Sequence, residues 1–474
     1  MGGLRATSFS SIFFWCLVFL FLVSSDLVYA YKERGTAESI NLNHTYIVQT
    51  SSLPPSCVCR NSTTGHTNRK HLKVVHRHGP CSHLDQHKIQ VPNLTQILIQ
   101  DQLRVNWIHS RLAKSLGQDA FQASTTTLPT KWFTGSYVVT VGLGTPKEDL
   151  TLVFDTGSDL SWTQCEPCAD GCYDQQEPKF NPSSSTSYSN VSCSSVQCSR
   201  DIKIDCASST CVYGVSYSDG SKTRGFLAKE RLTLTSSDEL DGFLFGCGQH
   251  NDGIFGREAG LLGLGRGAES LVSQTAQKYG SFFSYCLPTL CGSTGFLSFG
   301  SGGGTSNSLK FTNLGQHADE PSFYYIDIVD ISVGGQNLNL PSSLFSSQGS
   351  VIDSGTVFTS LPKTAYAALR SAFQQQMSNY LTKSPPAPFD TCYDLSGYNT
   401  VYIPKITFLF GNNVNVDIVP EGILVESATE YCLAFVGNSD ENRGATFGSY
   451  QQQKYEVVYD AAGGRLGFGA GACD

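Results

Sequence analysis

The sequence predicts an all-β protein built as two sheet-rich lobes. Its 474 residues are too many for one small domain and ask for two or more cores. Only 15 % of them are charged, while Gly occurs 46 times and Ser and Thr are frequent. That mix suits short strands and many turns better than a helical bundle. One short element also occurs twice: Val153-Phe154-Asp155-Thr156-Gly157-Ser158 returns as Val351-Ile352-Asp353-Ser354-Gly355-Thr356. The two aspartates lie 198 positions apart, which leaves room for one sheet-rich lobe around each.

Residues 1–30 read as a signal peptide. Arg5 precedes an apolar run over residues 12–23, and Val28-Tyr29-Ala30 offers a small-residue cleavage site. The run is too short for a membrane span. The closing stretch GRLGFGAGACD has no hydrophobic tail, so no membrane anchor is expected. Residues 31–125 differ from the rest and read as a propeptide. They hold most of the histidines and three of the four glycosylation sequons, Asn43, Asn61 and Asn93; the fourth is Asn190. One helix is legible there: Leu94, Leu98, Val105, Ile108 and Leu112 form an apolar stripe broken by Asp101, with Pro92 ahead and Asn93 with Gln96 as a capping box. A Ser/Thr-rich linker follows at 123–130.

From Tyr137 onward short alternating runs mark strands, among them YVVTVGLG, LTLVFDTG, GFLFGCG, SVIDSGT, KITFLFG and YEVVYD. Helices are expected only near 270–278 and 363–379. The lobes are assigned to 131–312, with a Cys-rich insert at 165–211, and to 313–474. Charge is uneven: residues 1–130 hold 12 Lys+Arg against 6 Asp+Glu, and the remainder 20 against 34. An acidic body argues against nucleic-acid binding by that body. Seventeen cysteines point to disulfides and an oxidising compartment. The C-x2-C spacing at Cys165 and Cys168 could suggest zinc, but no histidine lies nearby, and no metal is expected.

The repeated element carries the chemistry. An apolar strand ends at Asp, followed by a hydroxyl residue and then Gly, which permits a sharp turn. Two such turns from two lobes would bring two carboxylates face to face. They could not both ionise cheaply, so one would stay protonated while the other acts as base. Such a pair can activate a water and protonate the carbonyl it attacks.

Further phrases follow the repeat. DTGSDLSWTQC starts at Asp155 and DSGT at Asp353; Leu261-Leu262-Gly263, Thr446-Phe447-Gly448 and Tyr217-Ser218-Asp219-Gly220-Ser221 come later, with GCG at 246–248 and FGSYQQQ at 447–453. Over residues 137–473 these motifs resemble the pepsin-like aspartic protease family (A1), and within it the plant nepenthesin-like branch. The resemblance implies a bilobal fold with a catalytic cleft and a cofactor-free aspartic endopeptidase acting on protein or peptide substrates. It implies a catalytic pair, Asp155 and Asp353, with Thr156 and Ser354 bracing the carboxylates and Ser158 and Thr356 bonding their outer oxygens, in turns made by Gly157 and Gly355. It implies two apolar-apolar-Gly segments that cross the catalytic loops, a flap Tyr217 over the substrate, and Trp162 as its partner. The branch further implies disulfides 165–168, 172–247, 193–211, 198–206, 286–473 and 392–432, which spacing alone could not choose. Cys291 is then the odd thiol of the body.

Plant xylanase inhibitors share this fold but have lost catalytic residues, whereas both triplets and the flap Tyr are present here. The leader NRKHLKVVHRHGP (68–80) resembles that of the chloroplast nucleoid DNA-binding subgroup, though a short basic run is more often solvated or inhibitory. The expectation is a monomeric enzyme secreted to the apoplast, ahead of vacuole or chloroplast, and active in acid. Its basic prosegment should hold Lys or Arg near the dyad until acid releases it.

Overall fold

The structure is a computed structural model. It describes residues 42–53, 57–59, 71–84, 94–115 and 136–473, with short breaks at 199–201, 218, 237, 254, 293, 301–307, 318–319, 348, 384–388, 428–429 and 471–472. The signal-peptide assignment, Asn61 and the Asn93 cap fall outside these residues. The chain divides into a unit Met1–Thr45, described only from Leu42, and a unit Tyr46–Asp474 that carries everything below.

The fold is all-β and bilobal. Tyr137–Leu143 and Glu148–Asp155 pair antiparallel, Val138 opposite Val153, and bury both faces in the first lobe. Two long strands, Lys222–Thr235 and Asp238–Asp252, form a bulged hairpin beside them. Phe282–Cys286, Gly295–Phe299, Tyr455–Asp460 and Arg465–Ala470 form a continuous antiparallel set that pairs strands distant in sequence. The second lobe adds two four-stranded sheets, one centred on Ile406–Phe410 and one pairing Cys392–Asp394 with Glu430–Leu433. The helix Lys363–Gln376 covers it with Ala365, Leu369 and Phe373. The helix expected near 270–278 is two short turns, Leu271–Gln274 and Ala276–Tyr279, joined at Thr275.

The leader contributes more than one helix. Leu72–His76 is a strand bonded on both edges, to Gly295–Phe299 and to Tyr137–Leu143. Arg77 beyond it is buried in an ion pair with Glu258 at 3.4 Å. This strand escapes the sequence reading because LKVVH is short and sits in a basic run. It also disposes of part of that run, since Arg77 lies inside the fold and not on a surface.

Eight disulfides link described cysteines. Cys286 pairs with Cys473, and Cys392 with Cys432 directly opposite across two strands, as the resemblance implies. Four implied pairs are corrected. Cys165 joins Cys247 and Cys168 joins Cys172, in place of 165–168 and 172–247. The reason is register: Cys247 stands beside Thr163 in a parallel pair, and Cys165 N–H donates to Gly248 O, so the strands bring 165 to 247. Likewise Cys193 joins Cys206 and Cys198 joins Cys211, in place of 193–211 and 198–206. Here Cys206 and Cys211 face each other across a hairpin, and each reaches the preceding loop. Cys291 is not a free thiol; it bridges to Cys57 of the leader, and Cys59 bridges to Cys81.

Candidate active site

Two strands aim the aspartates. Glu148–Asp155 and Ser350–Asp353 each end on their Asp, and both residues are buried. Each strand is crossed by a parallel partner. Gly260–Gly263 sets Gly263 opposite Asp155, and Thr446–Gly448 sets Gly448 opposite Asp353. These are the two apolar-apolar-Gly segments named from the sequence.

The two loops repeat one bonding scheme. Gly157 N–H donates to Asp155 Oδ1 at 2.9 Å, and Gly355 N–H to Asp353 Oδ1 at 3.1 Å. The Ser158 hydroxyl donates to Asp155 Oδ2, and the Thr356 hydroxyl to Asp353 Oδ2 at 2.5 Å. The expected outer-oxygen bonds of Ser158 and Thr356 are therefore present. Thr156 and Ser354 act differently from the expectation. Thr156 N–H donates to Ser354 Oγ at 3.0 Å, and Ser354 N–H to Thr156 Oγ1 at 2.9 Å. Each hydroxyl grips the opposite loop instead of a carboxylate, so the pair ties lobe to lobe. Glycine is required at both turns for lack of space: a Cβ on Gly157 would stand 2.7 Å from Asp353 Oδ1, and one on Gly355 would stand 2.5 Å from Asp155 Oδ1.

Between the carboxylates lies a guanidinium that sequence reading did not single out. Arg104 donates from Nη2 to Asp155 Oδ1 at 2.6 Å and to Asp353 Oδ1 at 2.8 Å, and from Nε to Asp353 Oδ2 at 2.7 Å. It sits on the leader helix Leu94–Ser115. The apolar stripe of that helix is what docks it. Leu98 packs with Val357, Phe358 and Phe389, while Ile108 and Leu112 pack with Phe323, Tyr325 and Val351. Each fully buried Leu or Ile contributes about 2 kcal/mol. Asp101, the polar break in the stripe, accepts from Val357 N–H and Phe358 N–H, both at 2.6 Å. The anchors and the plug thus share one helix face.

Burial and charge set the protonation of this cluster. Burial would raise Asp353, but the Arg104 guanidinium and its hydrogen bond hold it below the ordinary carboxylate value. Burial raises Asp155, against Arg104 and helped by the charge of Asp353. Burial pushes Asp101 up to about 7, against its two backbone hydrogen bonds. His109, on the same helix, is pushed down to about 3 by burial and by Arg443, with Asp440 opposing.

The remaining candidates fall beside the dyad. Trp162 Nε1–H donates to Tyr217 Oη at 2.7 Å, and Phe255 stands edge-on to both rings, at 5.1 and 6.4 Å. Burial raises the Tyr217 hydroxyl, which stays neutral. The flap turns tightly: Tyr217 N–H donates to Ser221 O, Gly220 N–H to Tyr217 O, and Gly220 takes φ +85°. Of the sequons, Asn43 and Asn190 are exposed.

Paired Asp-hydroxyl-Gly loops, crossed from behind and set between two β lobes under a Tyr flap, define the pepsin-like aspartic protease class. Comparisons with known proteins agree. Residues 137–301 match the family described as Xylanase inhibitor N-terminal, and residues 323–470 match Xylanase inhibitor C-terminal. An aspartyl protease family protein of Arabidopsis thaliana is 52 % identical, covering 93 % of this chain and 95 % of its own. Aspartyl protease AED1 of the same plant is 49 % identical over 90 % and 92 %. Nepenthesin-2 of Nepenthes gracilis is 37 % identical over 69 % and 75 %. Among solved structures, soybean basic 7S globulin shares the fold at TM-score 0.57 and 23 % identity, over 70 % of this chain and 92 % of its own. The chain belongs to the plant pepsin-like aspartic protease family.

Proposed function

We propose that the chain is the precursor of a secreted aspartic endopeptidase whose catalytic pair is Asp155 and Asp353, held latent by residues 31–125. One observation carries this reading: a single nitrogen of Arg104 bonds both inner carboxylate oxygens, at 2.6 and 2.8 Å. Once the helix leaves, that position suits a water shared by the two carboxylates. One Asp, ionised, takes a proton from the water as it attacks the scissile carbonyl carbon. The other, protonated, gives its proton to the carbonyl oxygen. The tetrahedral intermediate then collapses with proton transfer to the leaving nitrogen. Tyr217, oriented by Trp162, closes over the bound chain.

With Arg104 in place neither role is available. The guanidinium keeps its proton throughout the working range and favours two ionised carboxylates. Acid is the release signal, because protonating the dyad removes what holds Arg104. The eight disulfides favour an oxidising route to the cell exterior. The family description favours a second reading, a protease-fold inhibitor without activity; the two complete Asp loops favour the enzyme. Acid-processed protein should cleave peptides, and pepstatin should block it. Asp155→Asn and Asp353→Asn should each lower kcat by several orders of magnitude. Equal turnover in either variant refutes the assignment.

A further inference from the structure

We propose that Glu320, walled by Phe323, is a subsite that selects a basic side chain, arginine above lysine, of the polypeptide substrate within about three residues of the cleaved bond. It rests on the endopeptidase reading and names a specificity for that same cleft.

The leader helix displays the guest. Arg111 donates from Nε to Glu320 Oε2 at 2.8 Å and from Nη2 to Oε1 at 2.7 Å, a two-pronged match between guanidinium and carboxylate. Its guanidinium carbon lies 5.7 Å from the centre of the Phe323 ring. With the helix docked, the Glu320 side chain of the body is 7 % exposed, while that of Arg111 on the helix is 40 % exposed. The backbone that carries the carboxylate is tied to the body, since Tyr325 Oη–H donates to the Glu320 backbone oxygen at 2.9 Å. Phe323 and Tyr325 also receive Ile108 and Leu112, so the floor is built from aromatic side chains.

When the helix departs, Glu320 loses Arg111, the cation that pairs with it among the described residues. An acid set in an apolar wall and left unpaired is costly, and a substrate that brings a cation relieves that cost. A site built around such a group rejects a guest that lacks the matching donor. The planar fork and the ring favour Arg over Lys, because only a guanidinium can both bridge two oxygens and stack.

Geometry fixes the position along the substrate. Arg104 at the dyad and Arg111 are seven residues apart on one helix, nearly two full turns, and therefore on one face. At about 1.5 Å of rise per residue they are separated by about 10 Å. An extended substrate advances about 3.3 Å per residue, so the same span takes about three residues.

The test uses the acid-processed protein and a peptide library randomised on both sides of the cleaved bond. Arg should be enriched at one position two to four residues from the cut. For matched peptides with Arg or Gln there, the ratio of kcat/KM should be tenfold or more, and should fall to near one in Glu320→Gln. Pepstatin titration of that variant confirms that its cleft is intact. A binding arm is independent of turnover: a synthetic peptide of residues 94–115 should lose tenfold or more in affinity on R111A for the wild-type body, and little for Glu320→Gln. No Arg enrichment, or an Arg preference that survives Glu320→Gln, overturns the subsite and leaves the endopeptidase reading standing. If no peptide is cleaved yet the two substitutions are coupled in binding, the basic-side-chain site stands and the endopeptidase reading falls.

Discussion

Arg104→Met removes the charge of the guanidinium and keeps much of its length, so it isolates the electrostatic part of the proposed latency. The Arg104 side chain is 4 % exposed, each carboxylate side chain is 1 % exposed, and three hydrogen bonds join them. Deleting one partner of such a buried cluster costs about 3–5 kcal/mol. Part of that is recovered, because the two carboxylates can share a proton once the cation is gone. About 3 kcal/mol therefore remains, and docking of the helix weakens about 100-fold. The assay is purification of both precursors at neutral pH, followed by peptide hydrolysis and N-terminal sequencing at stepped pH. The variant should convert at a higher pH than the wild type and show more activity before conversion. A variant precursor as silent as the wild type, converting at the same pH, would refute the claim that Arg104 is the lock.

Three further outcomes follow from the same geometry. Docked His109 is held at about 3, so its contribution to docking is full above the ordinary histidine value of about 6.5 and is lost as pH falls from there toward 3. At pH 4.5 that is about 3 kcal/mol toward release, at 1.4 kcal/mol per pH unit; His109→Gln should therefore need a lower pH to convert, and an unchanged pH midpoint would count against it. Asp101, raised to about 7, works in the opposite sense: its contribution is full below the ordinary carboxylate range and is lost as pH rises through 7. The Cys57–Cys291 bridge means that cleavage within 116–132 leaves the front of the leader attached to the body; a non-reducing gel should keep that fragment with the body and reductant should free it, whereas separation without reductant would contradict the bridge. Trp162→Phe takes the indole N–H from Tyr217 Oη and should raise KM severalfold with a smaller change in kcat; equal KM values would show that the bond does not hold the flap.

The site was legible wherever its signal is local. Asp155 and Asp353 stand out because strand, hydroxyl and glycine must be adjacent in sequence for the turn to form. The helix stripe was visible for the same reason, and so was its oddity, Asp101. What answers Asp101 was not visible, since its donors at Val357 and Phe358 lie more than 250 positions away. Arg104 carries no local mark; a basic residue on a predicted helix reads as solvated until the docking face is known. The four corrected disulfides have a similar origin. Register decides whether Cys165 meets Cys168 or Cys247, and register is a property of paired strands. Cys291 was misassigned because its partner, Cys57, lies in the leader, which was expected to be separable from the body. Leu72–His76 shows why that expectation is too simple: it is a strand of the body's own sheet.

The most direct test of the account is to hold the purified precursor at neutral pH, step it into acid, and follow peptide hydrolysis with and without pepstatin. The account predicts silence at neutral pH, then pepstatin-sensitive cleavage that appears together with a new N-terminus between residues 116 and 132. A precursor fully active at neutral pH, or one that stays intact and inactive in acid, would contradict it.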